Sequence, residues 1–176
     1  MRIAPIIPGT RPELAAQESQ IMAARGRISD LYQVLLNSPA IAHGWEQMLS
    51  AVRNKSSLPA ILRELVIVRV AVLNKADFEY QAHVPIALRE GATQSMIDAV
   101  TNAAYLAPMP ISAGLSDAEQ VALLLTDTMT RDIVVPDSLF SDVKKHFDEQ
   151  GQIDLVATIA AYNMVSRFLT VFHIGH

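Results

Sequence analysis

This sequence predicts an all-α fold of about eight helices, and three observations predict it. Apolar residues recur along most of the chain at the three- and four-residue spacing of a helix face. Cap and stop residues bracket those stretches. The strand-like runs, such as Ile133–Val135, are too short to build a sheet.

Taken in order, residues 1–11 hold Pro5, Pro8 and Gly9, which oppose regular structure and predict an extended arm. Pro12 suits the first turn of a helix running to Arg25, and Gly26 ends it. A short helix follows from Ser29, and Ser38 with Pro39 supplies a cap and first turn for a helix to Val52. Pro59 starts "AILRELVIVRVAVL", which is apolar nearly all round and belongs in the middle of a core. Asp77 is placed to cap the next helix and Gly91 to stop it. Pro85 lies inside that helix, deprives the carbonyl of Gln81 of its usual partner, and predicts a kink one turn past His83.

Thr93 caps "QSMIDAVTNAAYLA", and "PMPISAG" reads as a loop. Ser116 and Glu119 form the S-x-x-E capping box of the helix that follows. "DSLFSDVKKHF" and "IDLVATIAAYNMVSRFLTVF" are the last two helices. The 176 residues suit one domain with a real core.

Composition narrows the function. A net charge of −4 without clusters of Lys and Arg argues against nucleic acid as a partner. No unbroken apolar run approaches the ~20 residues of a membrane span, so no membrane partner is expected and the cytoplasm is the default compartment. The chain has no cysteine, which removes disulfides, thiolate nucleophiles and thiol-ligated metals. Apolar residues make up 51% of the chain and charged ones 18%. That surplus of apolar surface points to burial between subunits, hence a homo-oligomer.

The chemistry concentrates in "ELVIVRVAVLNKADFEYQAH", Glu64 to His83. Glu64 and Arg69 are the polar exceptions in an apolar helix, and a buried charge needs a partner. They lie five residues apart, about 140° around the helix, so they do not face each other. "LNKAD" is short enough to fold the flanking helices into an antiparallel hairpin. At ~1.5 Å per residue, Glu64 then lies about 15 Å from the turn and His83 about 9 Å, a difference that side-chain length and tilt can bridge. Arg69 comes level with Ala82, in reach of Glu79 or His83, and Glu79 and His83 share a face. Two carboxylates beside an imidazole favour its charged form and fix its ring, which suits a general acid/base. Spacing alone leaves two other readings open. One is structural: an Arg69–Glu79 ion pair and a satisfied Glu64–His83 contact. The other is a metal on Glu79 and His83, with no second histidine nearby to support it. Tyr162, Asn163 and Arg167 interrupt the apolar final helix and could line a pocket, satisfy one another or cap a subunit interface.

"LPAILRELVIVRVAVLNKADFEYQAHVPIALREGA" resembles the core motif of the carboxymuconolactone decarboxylase family, which includes the alkylhydroperoxidase D proteins. The matching positions are Arg63-Glu64-Leu65, the aromatic–Glu–aromatic triplet Phe78-Glu79-Tyr80, His83, and Ala87 with Gly91. The resemblance runs over residues 28–172. It implies an alkylhydroperoxidase D-like bundle of helical hairpins, a single domain over residues 1–176 behind the arm, and a dimer, trimer or hexamer with sites near subunit contacts.

The resemblance further implies a cofactor-independent lyase acting on a small lactone or carboxylate of aromatic catabolism, with no metal. His83 would donate the proton, Glu64 and Glu79 would assist it, and Arg69, Tyr80 and Tyr162 would contact the substrate. In the peroxidase branch a Cys-x-x-Cys pair falls where this chain has Ala76 and Glu79, so that dithiol chemistry is excluded. The alternatives are a non-enzymatic oligomer that binds a small ligand, and an antioxidant drawing on another electron carrier.

Overall fold

The helix that begins at Ala60 has no polar face, and the structure surrounds it on that account. The computed structural model describes residues 1–102 and 114–175. Among them are nine α-helices and no strand, so the fold is all-α. The expected loop "PMPISAG" and the end of the helix capped by Thr93 lie mostly outside the described residues.

The chain divides into two compact units, Met1–Lys55 with Phe168–His176, and Ser56–Arg167. In the first, the N-terminal arm is irregular, as its prolines require, but it is held: the N–H of Ile6 donates to Gln33 O (2.9 Å) and that of Arg2 to Phe172 O (2.9 Å). A 3-10 turn at Pro12–Leu14 leads into α1 (Ala15–Arg25). Gly26 ends α1 at φ 73°, where its N–H donates to Met22 O, a left-handed conformation that only glycine adopts without steric cost. Short α2 (Asp30–Leu35) and α3 (Pro39–Asn54) complete the unit. Trp45 meets Phe168 at a tilt (5.0 Å between centroids), and Phe168 meets Phe172 likewise (4.6 Å). Glu46 is buried and accepts from Tyr32, Ser50 and Arg25.

The second unit is built round α4 (Ala60–Leu73), in which every residue from Glu64 to Ala71 is buried. Each of its fully buried valines and leucines contributes about 1.5–3 kcal/mol of transfer free energy. Three residues, with Lys75 at φ 55°, separate α4 from α5 (Asp77–Arg89). The N-cap of α5 is Ala76 and not Asp77, which occupies the first turn, where its charge still complements the helix dipole. The helix continues through Pro85 and stops before Gly91.

Then come α6 (Gln94–Thr101), capped by Thr93, and α7 (Asp117–Arg131), with its capping box formed. They are followed by α8 (Asp137–His146) and α9 (Glu149–Phe172). Leu65 and Val68 of α4, Ala87 of α5, Ile97 and Val100 of α6, and Leu123 of α7 share one apolar cluster. The last helix starts a turn earlier than its apolar run because Asp148 accepts from Gly151 N (2.8 Å). At 24 residues, α9 is also long and apolar enough, by length and composition, to cross a membrane. Counting only unbroken apolar runs overlooked it. Its face of Leu155, Ile159, Tyr162 and Val165 is buried within the protein, as in a core helix.

Candidate acid/base site

The α4–α5 hairpin carries Glu64 and His83 to the same level. His83 Nδ1 lies 2.6 Å from Glu64 Oε2, and its Nε2 lies 3.2 Å from Glu79 Oε2, one turn earlier on α5. The edge of Tyr162 meets the imidazole at 88°, with centroids 5.2 Å apart. Glu64, Glu79, His83 and Tyr162 are all buried.

This arrangement favours one protonation state. A neutral imidazole has one N–H, so one of its nitrogens would turn a lone pair toward a carboxylate; the imidazolium donates to both. Burial works against the charged ring, but the hydrogen bonds to Glu64 and then Glu79, with the charges of both, outweigh it. The pKa of His83 is therefore raised above its ordinary value. The site can hold a proton at either ring nitrogen, in surroundings that exclude most water. Among the described residues, no group of three or more His, Asp or Glu is arranged to hold a metal ion.

The structure does not bring Arg69 to this site. Its Nε and Nη2 donate to the two carboxylate oxygens of Asp127, each at 2.6 Å, and its Nη1 to the carbonyls of Val100 (3.0 Å) and Asn102 (2.7 Å). Its side chain is 0% exposed. The expected roles, a substrate anchor or a partner of Glu79, are thus both corrected. The physical reason is the 140° between Glu64 and Arg69, which turns the guanidinium toward α6 and α7, where a carboxylate matches its fork.

Tyr80 packs against the apolar cluster of Leu65 and Val68. Tyr162 faces His83, whereas Asn163 and Arg167 satisfy one another: Arg167 Nη1 donates to Asn163 Oδ1 at 2.6 Å. Cavities of about 430 Å3 occur elsewhere in this unit, beside Leu62, Glu119 and His146, and between α8 and α9 at Phe140 and Ile153. None of the site's three titratable residues lines either one.

Two residues escaped the sequence reading. Asp127 sits in the apolar stretch "LLLTDTM", so the argument that flagged Glu64 flags it too. Arg63 was read as motif only, yet its Nε lies 3.6 Å from Glu64 Oε1.

Comparison with known proteins agrees with this architecture. The sequence pattern of the carboxymuconolactone decarboxylase family matches residues 39–127, half of the chain and the whole of the Glu64–His83 hairpin. The uncharacterized protein YdfG of Bacillus subtilis (strain 168) is 29% identical over 116 residues, covering 64% of this chain and 74% of its own. Two solved structures share the fold. The alkylhydroperoxidase AhpD core protein of Ralstonia eutropha JMP134, a peroxidase-related protein, superposes with a TM-score of 0.80 at 15% identity, over 98% of this chain and 90% of its own. The debrominase Bmp8 gives 0.76 at 13%, over 96% and 88%. At such identities the likeness concerns the fold alone, and one fold hosts several chemistries.

Proposed function

The chain belongs to the carboxymuconolactone decarboxylase family, and from that premise we propose that it is a cofactor-independent acid/base lyase that decarboxylates a small lactone or related carboxylate. The observation that carries this reading is the imidazole of His83, held through both nitrogens by buried carboxylates that raise its pKa. In the proposed reaction the bond from the ring carbon to the carboxylate breaks, CO2 leaves, and the electron pair stays on a carbon conjugated with the lactone carbonyl. The imidazolium of His83 then gives its proton to the conjugated carbon, and the neutral ring recovers a proton from solvent. Glu64, on the shorter contact, holds the ring; the Nε2 proton, on the 3.2 Å contact to Glu79, is the one delivered. Tyr162 fixes the plane of the ring by its edge contact.

One observation favours a second reading. All three titratable residues are buried, as in a satisfied core contact, and the protein would then bind a small ligand without transforming it. A thermal-shift screen of wild type and His83→Ala against lactones, muconates, oxo-acids and hydroperoxides separates the two. The enzyme reading expects a ligand that stabilises only the wild type and releases CO2 on turnover. Ligands that stabilise both proteins alike, with no CO2 from any of them, refute it.

A second copy of the chain is the proposed macromolecular partner. Ile153, Ala157, Ala160 and Met164 recur on α9 at intervals of four, three and four, the spacing of a helix–helix seam. Ile153 is 69% exposed and Met164 40%. Antiparallel pairing of two such helices, Ile153 on Met164 and Ala157 on Ala160, sets Glu149 within one residue of the level of Arg167, so charges of opposite sign close both ends.

A further inference from the structure

Arg63 is a largely buried cation, its side chain 15% exposed, whose Nε lacks a hydrogen-bond acceptor among the described residues. The contact to Glu64 Oε1, at 3.6 Å, is too long to count as a hydrogen bond. Elsewhere in the protein the buried guanidinium groups are compensated. Arg69 donates at 2.6–3.0 Å to a carboxylate and two carbonyls. Arg25 leaves Nη2 unpaired, but it donates through Nε to Glu46 at 2.9 Å and lies over the ring of Tyr32. Desolvating a charge without returning hydrogen bonds is unfavourable, and an acceptor brought by a ligand would offset that cost.

The position of Arg63 makes that ligand specific. Glu64 contacts His83 through Oε2 and faces Arg63 through Oε1, so the guanidinium and the imidazole flank one carboxylate. With His83 charged, the two cations balance Glu64 and Glu79, and an incoming anion is not met by a net negative site. A planar carboxylate matches the edge of a guanidinium in shape and charge. We propose that Arg63 is the binding residue for the carboxylate of a small organic acid, holding it beside His83 in the place the sequence had suggested for Arg69. This inference rests on the reading of His83 as the reacting centre for its purpose, though not for its test.

The test follows the Nε–Hε resonance of Arg63 in the arginine-labelled full chain during titration with acetate and benzoate, and with acetamide and benzamide, at constant ionic strength. The acids should shift the resonance saturably and the amides should not. Arg63→Gln should weaken binding of the acids at least tenfold, and Arg63→Lys less. An Arg63 resonance unmoved by either acid, an equal response to the amides, or unchanged affinity in Arg63→Gln overturns the proposal. His83→Gln separates this inference from the lyase reading. Acid binding that persists in that variant, with CO2 released by neither protein, leaves Arg63 as the anchor and removes the lyase. Turnover in Arg63→Gln with the wild-type KM removes the anchor alone.

Discussion

Asp127→Asn should be the most damaging conservative substitution in the protein. It keeps the shape of the side chain and removes one charge, leaving the guanidinium of Arg69, 0% exposed, without its counter-ion. Breaking a buried pair from one side costs about 3–5 kcal/mol, most of it the penalty of an uncompensated buried charge. The two contacts at 2.6 Å and the fork geometry place this pair at the upper end of that range. For a chain of this length each kcal/mol moves Tm by about 2–4 °C, so a loss of about 6–20 °C is expected. Replacing both partners by apolar residues, Arg69→Met with Asp127→Leu, removes the desolvated charges together and should recover most of the loss. Urea unfolding followed by far-UV circular dichroism measures both. A destabilisation by Asp127→Asn under about 1 kcal/mol refutes the account of Arg69 as a structural cation. So does a double variant that folds stably but no longer binds acids that the wild type binds, since Arg69 would then belong to the site.

Two further outcomes follow from the same geometry. The pKa of His83 is raised by folding from an ordinary 6.5, so the folded state binds the extra proton. The stability this contributes is complete below 6.5 and fades as pH rises through the folded value. Glu64→Gln removes the stronger of the two hydrogen bonds and should lower that pKa; ring-proton titration by NMR reads it, and an equal or higher value in the variant refutes the argument. Ala160→Glu places a charge in the middle of the α9 seam. Sedimentation should find the wild type associated and the variant monomeric, and association that survives the substitution rules α9 out as the contact.

What could be read from the sequence was whatever depends on short range. Gly26, Ser116 with Glu119, and Thr93 act within four residues of themselves, and each terminates or caps a helix as its chemistry dictates. The Glu64–His83 contact spans 19 residues, but a short turn and a rise of ~1.5 Å per residue convert that separation into a distance. The partner of Arg69 lies 58 residues away, across a connection whose path no periodicity fixes, so hairpin arithmetic offered it Glu79 or His83 in place of Asp127. Gly151 sits in the first turn of α9, where a Cβ would come within 3.3 Å of Phe147 and 3.2 Å of Asp148. Taking Asp77 as the cap of α5, where Ala76 holds that position, misplaced the start of the helix by one residue only, because a carboxylate is favourable both at the cap and in the first turn.

Three charges within two turns of α4 have three different fates, and the difference separates structure from function. Arg69 is matched within the fold by the carboxylate of Asp127 and by backbone carbonyls, so its compensation needs no ligand. Glu64 is matched by a ring that can lose its proton, so its compensation depends on pH and can be exchanged during a reaction. The Nε of Arg63 has no partner within hydrogen-bonding distance among the described residues, and in our proposal a ligand supplies its compensation. Burial alone would have grouped all three as core charges, and sequence position had assigned the binding role to the first. What discriminates is the completeness and the permanence of the partner. By that criterion the working edge of α4 runs through Arg63 and Glu64 toward His83, and Arg69 holds the opposite side of the helix in place.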